Sequence, residues 1–271
     1  MRYARGGFPV FLDTDVDMTV LAERRAAALA AGTRYSWVTY VLSAAGRVLA
    51  AHPDANAAIG GRLRPRVVRF TGADAKLALD KRVGGQRVVL SGLLRDVDRA
   101  DLAAIQRDVD RFRDGVPAAM SEFKGAFVLA RLPAWLGPLA FTAGVRPLAR
   151  RRARLGTFSV TSLGHTAVDG FHSYGGTAVT LGVGRIAERP VVRAGVLAVA
   201  PVLRLSLAFD HRVIDGAEAA DVLTDLRDAL ESGLPDLVAE APADAAEATD
   251  LQAVSESGSA DPVAGAAEAR A

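Results

Sequence analysis

The chain has 271 residues, of which half are hydrophobic and 24% are charged, a composition typical of a globular protein with one large core or two small ones. It contains no cysteine, which excludes a disulfide framework, a thiolate nucleophile and cysteine-ligated zinc. The first residues lack the apolar stretch of a signal peptide, so we expect a cytoplasmic protein.

Charge is distributed unevenly along the chain. Residues 233–271 hold eight acidic residues and one arginine, a formal charge of −7, so residues 1–232 carry +9. The acidic tail has no aromatic residue and is predicted to be disordered, because it cannot bury enough apolar area to offset the entropy of ordering. The basic body favours anionic ligands such as nucleotide phosphates. The same positive charge could bind nucleic acid, but we expect no nucleic-acid partner.

The first half of the body alternates between strand and helix patterns. PVFLDTDVDM predicts a strand, and TVLAERRAAALAAG predicts a helix that ends at Gly32. Ser36 can cap a second helix, WVTYVLSAAGRVLAA, which is apolar nearly all round and therefore typical of a helix buried against a sheet. A strand is expected around RVVLSGLL. DRADLAAIQRDVDRFRDG then predicts a surface helix, with Asp98 as its cap and Gly115 at its end.

An apolar insertion occupies about residues 120–154. Residues 125–145 contain a single charge, Arg131, and would in length span a bilayer. A central arginine costs roughly 2.5–3.5 kcal/mol in a membrane helix, and Pro133 and Pro138 would break the helix twice. We therefore expect a broken helical hairpin packed over the functional site or at a subunit contact, with membrane contact of residues 125–154 as the less favoured alternative.

Strand patterns return after the insertion. They are GTFSVTSLG, GGTAVTLGVGRI and VLAVAPVLRLSLAFD, and the helix GAEAADVLTDLRDALE follows them. Helices are thus segregated from long strands. The sequence predicts one α+β domain over residues 1–232, with a large mixed β-sheet covered by helices on one face.

A histidine stands at the end of the last strand pattern. Apolar residues alternate along LRLSLAFDH, and His211 continues their parity, so we expect its side chain to point inward. An inward imidazole can be held in one tautomer and shielded from water, as a general base requires. The alternative is a histidine with a purely structural role. Asp215 lies where the strand gives way to the helix and is expected to brace that turn.

The string D-H-R-V-I-D-G closely resembles the His-x-x-x-Asp-Gly motif of the dihydrolipoamide acyltransferases, which are components of 2-oxo acid dehydrogenase complexes. FSVTSLG at 158–164 is similar to the family's F-T-I-S-N-L-G, and AVTLGVGRIAERP at 178–190 to its A-I-L-G-V-G-R-I-x-x-x-P. VDMTVL, HPDANAAI and LLRDVDRADLAAI resemble further blocks in the same order. The resemblance covers roughly residues 8–231 and implies a chloramphenicol acetyltransferase-like fold.

The resemblance also implies roles for three residues in acyl transfer between coenzyme A and a thiol such as dihydrolipoamide. His211 would be the general base, and Asp215 would fix the site without carrying a proton. Thr161, where the family usually has serine, would donate to the tetrahedral oxyanion, and its added methyl group narrows the choice of side-chain rotamer. The alternative is that Thr161 is only a good strand former.

Partners and cofactors follow from the same resemblance. A homotrimer is implied, because in this family the histidine motif and the hydroxyl strand come from adjacent subunits. Coenzyme A or a lipoyl group would carry the acyl group. No lipoyl-lysine block is evident, so we expect a separate lipoylated protein or 2-oxo acid dehydrogenase subunits as partners, and no metal site. Two alternatives stay open: a coenzyme A-dependent O- or N-acyltransferase of a small molecule, and a catalytically silent trimeric assembly protein.

Overall fold

Strands and helices follow the chain in the expected order, with three strands added before the surface helix. The computed structural model describes residues 7–61, 64–133, 135–145 and 147–234. The tail from residue 235 onward lies outside the described residues, so its disorder stays a prediction. The strands are β1 (Pro9–Asp17), β2 (Ala57–Gly60), β3 (Arg66–Arg69), β4 (Ala75–Val83), β5 (Gln86–Leu94), β6 (Phe158–Ser162), β7 (Val179–Arg193) and β8 (Val196–Asp210). The α-helices are α1 (Thr19–Ala30), α2 (Trp37–Ala51), α3 (Leu102–Asp114), α4 (Lys124–Arg131), α5 (Leu136–Val145), α6 (Arg151–Leu155) and α7 (Gly216–Glu231).

Six strands form one mixed sheet in the order β1-β8-β7-β6-β4-β5, and β2 and β3 form a separate antiparallel pair. β6 runs parallel to both of its neighbours, β4 and β7, while the remaining pairs are antiparallel. Alternate apolar residues of these strands share one buried core with α2, α3 and α7. The expected α+β class, with a large mixed sheet covered by helices, is confirmed.

The helix boundaries confirm most of the caps that the sequence predicts. Ser36 accepts a hydrogen bond from the Thr39 amide at 3.3 Å, and α3 ends at Gly115. The prediction that Asp98 caps α3 was wrong. Asp101 holds that position and accepts from the Ala104 amide at 2.6 Å, because it directly precedes the first helical residue.

The insertion contains the short helices α4 and α5, which contact each other, and it ends in α6. The expected break between helices is present, and the packing of the insertion over the site or at a subunit contact stays a prediction. Pro133 lies between α4 and α5, as expected. Pro138 does not break a helix, contrary to expectation, because it is the third residue of α5, where its missing N–H has no intrahelical partner to lose. Among the described residues, no helix is both long and apolar enough to cross a membrane.

A buried carboxylate attaches the end of this insertion to the sheet. Asp74, just before β4, is 1% exposed. It accepts hydrogen bonds from Arg95 Nη1 at 3.0 Å, Arg152 Nε at 3.2 Å and the Asp96 amide at 2.9 Å. A buried charge without partners is costly, so these contacts hold the start of β4, the end of β5 and α6 together.

We expect Asp74→Ala to lower the free energy of unfolding by about 2–3 kcal/mol, because an amide and two guanidinium groups lose their acceptor. Chemical denaturation followed by circular dichroism measures this. Asp80→Asn is the matched control, since Asp80 forms an exposed pair with Arg87 at 2.7 Å and its loss should barely change Tm. Equal stability of the Asp74→Ala and wild-type proteins would contradict a structural role for the buried carboxylate.

Candidate active site

His211 lies directly after β8, where the backbone leaves the sheet. Its amide donates to the Phe8 carbonyl oxygen at 2.9 Å, and its ring is tilted against that of Phe209, with centroids 5.6 Å apart. The imidazole is exposed, so the expectation that it points inward was wrong. The Val213 amide donates to the Asp210 carbonyl at 2.8 Å and closes a turn, so the alternation of the strand ends one residue before His211.

Asp210 anchors this turn and was missed by the sequence reasoning. It is 3% exposed, and its carboxylate accepts from Arg212 Nε at 2.9 Å, the Arg212 amide at 3.2 Å and the Tyr174 hydroxyl at 3.2 Å. Burial opposes the charged form, but the hydrogen bonds and charge of Arg212, together with the Phe8 amide, lower the pKa of Asp210 below its ordinary value. In the sequence, Asp210 could have been recognised as a charged residue at the end of an apolar strand.

Asp215 is the N-cap of α7. Its carboxylate accepts a hydrogen bond from the Glu218 amide at 3.0 Å, and Asp215 itself is exposed. The side chain therefore fixes the first turn of the helix, as a residue at a strand-to-helix junction is expected to do. Its contribution to catalysis stays a prediction.

An open depression of about 430 Å³ lies beside His211. Its wall is mostly apolar, and the Arg212 guanidinium lies 5.7 Å from the centre of the Phe8 ring. The lining residues are Phe8, Pro9, Val10, His211 and Arg212. An imidazole on such a surface can reach an incoming thiol without displacing a protein side chain.

Thr161 lies on β6, where its register partners are Ala78 of β4 and Gly182 of β7. Phe158 and Val160 are buried in the core, so alternation places Thr161 on the opposite face of the sheet. Thr161 is half-buried, and no residue in the described ranges hydrogen-bonds its hydroxyl. That hydroxyl can donate to a ligand.

A single copy does not bring Thr161 and His211 together. Thr161 is level with Gly182, which pairs with Ser206 of β8, and His211 lies five residues beyond Ser206. The two residues are therefore about 17 Å apart along the strands and about 10 Å apart across them. Within one copy, only His211 and Asp215 of the three candidates lie on the same segment, four residues apart.

Lys76 is a second residue that the sequence reasoning missed. It pairs with Ser159 on the face that carries Thr161, and its ammonium group donates to the Gly175 carbonyl oxygen. Burial lowers the pKa of Lys76 to about 8. The Ser159 and Thr177 hydroxyls lie 2.8 Å apart under the same loop. These contacts hold residues 175–177 against β4 and β6 beside Thr161.

No cluster of three or more histidine or carboxylate side chains that could hold a metal ion occurs in the described part of the chain. His172 lies 5.1 Å from the Phe11 ring, centroid to centroid, and His52 binds two carboxylates of α7.

Comparison with known proteins agrees with the resemblance read from the motifs. Residues 141–238 match the family "2-oxoacid dehydrogenases acyltransferase (catalytic domain)". A dihydrolipoyllysine-residue acetyltransferase component of the pyruvate dehydrogenase complex from Bacillus subtilis (strain 168) is 57% identical over 47 residues. That match spans 17% of this chain and 11% of the relative.

Solved structures show the same fold. A dihydrolipoamide acetyltransferase from Azotobacter vinelandii, studied for the roles of a serine, a histidine and an asparagine in its catalysis, has a TM-score of 0.63 at 22% identity, covering 85% of this chain and 84% of that one. A probable dihydrolipoamide acetyltransferase from Listeria monocytogenes 4b F2365 has a TM-score of 0.61 at 19% identity, covering 86% and 88%. Residues 141–238 are thus similar to the catalytic-domain family of the 2-oxoacid dehydrogenase acyltransferases, and the chain has the fold of the solved dihydrolipoamide acetyltransferases.

Proposed function

We propose that this protein transfers an acyl group between coenzyme A and a thiol such as dihydrolipoamide, with His211 as the general base. The observation that carries the proposal is the placement of His211: its amide is bound to Phe8, the preceding Asp210 is buried and its imidazole faces an open depression. The relatives named as dihydrolipoyllysine-residue acetyltransferases support the same reaction class.

His211 acts on the attacking thiol. The imidazole accepts the S–H proton, the sulfur attacks the thioester carbonyl carbon, and the carbonyl oxygen becomes a tetrahedral oxyanion. When the intermediate collapses, the carbon–sulfur bond to coenzyme A breaks, and the imidazolium returns its proton to the leaving sulfur. Asp215 keeps the first turn of α7, and with it the segment after His211, in place.

The oxyanion is stabilised by the Thr161 hydroxyl of a neighbouring copy. One copy keeps Thr161 and His211 too far apart for both to contact the same carbonyl group, as the strand register requires. A cyclic arrangement, in which the His211 end of one copy meets the Thr161 end of the next, solves this. A homotrimer is the arrangement that the family resemblance implies.

Exposed apolar residues at both ends of the sheet support this head-to-tail contact. Phe8 is 65% exposed and Phe11 48% at the His211 end. The β7–β8 hairpin extends beyond the carboxyl end of β6, and there Val192 is 71%, Leu197 74% and Val199 69% exposed. β1 pairs with β8 only from Val202 onward, so the hairpin lacks a third strand among the described residues. Exposed apolar surface of this kind is typical of a subunit contact.

The acyl carrier is coenzyme A on one side and a lipoyl group on the other. We propose a separate lipoylated protein, in association with 2-oxo acid dehydrogenase subunits, as the partner that presents the dithiol. The positive charge of residues 1–232 suits the phosphates of coenzyme A.

His211→Ala should lower kcat for acyl transfer from acetyl-CoA to dihydrolipoamide about 10²–10⁴-fold, because the thiol then ionises without a base. Release of free coenzyme A thiol measures the rate, and circular dichroism checks that the variant is folded. A variant as fast as wild type would exclude His211 as the base. A wild-type protein that is inactive with every acyl donor and thiol tested would support a silent assembly protein.

Thr161→Val should lower kcat about 10²–10³-fold with little change in KM, because the lost hydrogen bond strengthens only in the transition state. Thr161→Ser is the matched control, since it keeps the hydroxyl and should keep most of the rate. If the valine variant equals wild type, Thr161 is only a strand former. A serine variant that accepts bulkier acyl groups would show that the threonine methyl limits the pocket.

Leu197→Asp should convert the trimer to monomers and abolish transfer, because it places a charge in the apolar subunit contact. Light scattering measures the mass. Val89→Asp is the matched control, since Val89 is 73% exposed but lies on β5 at the far edge of the sheet, so the trimer should persist.

Mixing two inactive variants tests the shared site directly. If each site combines His211 of one copy with Thr161 of the next, co-expressed His211→Ala and Thr161→Val chains should form one intact site at about a quarter of the interfaces. Activity recovered to that level supports the arrangement, whereas an active monomer or a mixture without recovery would contradict it.

A further inference from the structure

His52, at the C-terminal end of α2, is held between two carboxylates of α7. Its Nδ1 lies 2.9 Å from Glu218 Oε1 and its Nε2 lies 2.8 Å from Asp225 Oδ2. The His52 side chain is 16% exposed. Glu218 and Asp225 are seven residues apart and therefore lie on the same face of the helix, two turns from each other.

This geometry requires the imidazolium form. A carboxylate oxygen only accepts, so each ring nitrogen must carry a proton for both contacts to be hydrogen bonds. Neutral His52 could donate to one carboxylate and would turn a lone pair toward the other. The arrangement of the three side chains thus depends on one proton.

Glu218 connects His52 to the turn that carries the candidate base. It is the third residue of α7, and its amide donates to the Asp215 carboxylate at 3.0 Å. In a capping box, a glutamate at this position returns its carboxylate to the amide of the cap residue. Here one oxygen of that carboxylate binds His52 instead. One continuous path therefore runs from His52 through Glu218 to Asp215, four residues after His211.

We propose that protonated His52 is a positioning residue, which holds the first turn of α7, and through it Asp215 and His211, in the arrangement used for acyl transfer. The catalytic part rests on the proposed function. The folding part, in which the charged clamp joins α2 to α7, does not.

The charges around His52 give the expected dependence on pH. Burial by itself would lower the pKa of His52, but the hydrogen bonds and charges of Asp225 and Glu218 raise it above its ordinary value. Asp221 lies between them on α7 and is exposed, and Asp54, beyond Pro53, is paired with Arg69 at 2.5 Å. A raised pKa means that the clamp stabilises the fold fully below about pH 6.5, the unfolded value, and is lost as pH rises through the folded pKa.

Thermal unfolding of the full chain between pH 5.5 and pH 9 tests the folding part without any substrate. We expect wild type to unfold about 3–6 °C above His52→Gln at the acid end, with the gap closing as pH rises. Glu218→Gln should behave like His52→Gln. Asp221→Asn is the matched control, because it removes a carboxylate from the same helix without touching His52. If wild type and His52→Gln unfold at the same temperature, or differ by the same amount at every pH in this range, the proposed clamp is wrong.

Kinetics test the positioning part. At pH 6, His52→Gln should lower kcat about fivefold and change KM less than about twofold, and the ratio of wild-type to variant kcat should approach one as pH rises. If wild type is inactive while the unfolding gap follows pH, the proposed function fails and the clamp stands. If both proteins are active with the same kcat at every pH, His52 does not position the site.

Discussion

The proposed site depends on the hydrogen bonds that the buried carboxylate of Asp210 accepts. Asp210 ends a strand whose apolar side chains fill the core and is only 3% exposed, so its charge must be satisfied by protein donors. Arg212 and Tyr174 supply donors, and the Phe8 amide adds a longer contact at 3.4 Å. The donors come from three separate parts of the chain, and all of them must converge on the end of β8. His211, between Asp210 and Arg212, is directed outward by that convergence.

The sequence predicted the parts of this fold in which local and tertiary preferences agree. β1, α3, β8 and α7 each have a hydrophobic period that matches the face they bury, and α2 is apolar nearly all round and buried along most of its length. β4 was missed because LALDKRV mixes two basic residues and an aspartate into its alternation, while its pairing with β6 is non-local. A strand that is stabilised mainly by pairing with distant strands has only a weak strand pattern in its own sequence.

Errors at the candidate site have the same origin. The parity of LRLSLAFDH is correct up to Phe209, but the strand ends at Asp210, and the turn that follows leaves His211 exposed. Asp98 precedes a helix in sequence as a cap would, but its carboxylate accepts from the Ala73 amide at 2.9 Å. Both residues satisfy backbone or side-chain donors far away in the chain. A periodic pattern of apolar residues does not predict such hydrogen bonds to distant parts of the chain.

The proposed shared site, with His211 from one copy and Thr161 from the next, has a mechanistic consequence. His211 is held by a turn and Thr161 by two parallel strands, so backbone hydrogen bonds fix the position of each within its own copy. The distance between them across an interface is then set by the subunit contact alone, which the exposed hairpin around Leu197 and the apolar surface around Phe8 would define. In the proposed trimer, catalytic geometry and assembly would be one property, because a subunit contact that shifted by about an ångström would move Thr161 relative to His211 by the same amount.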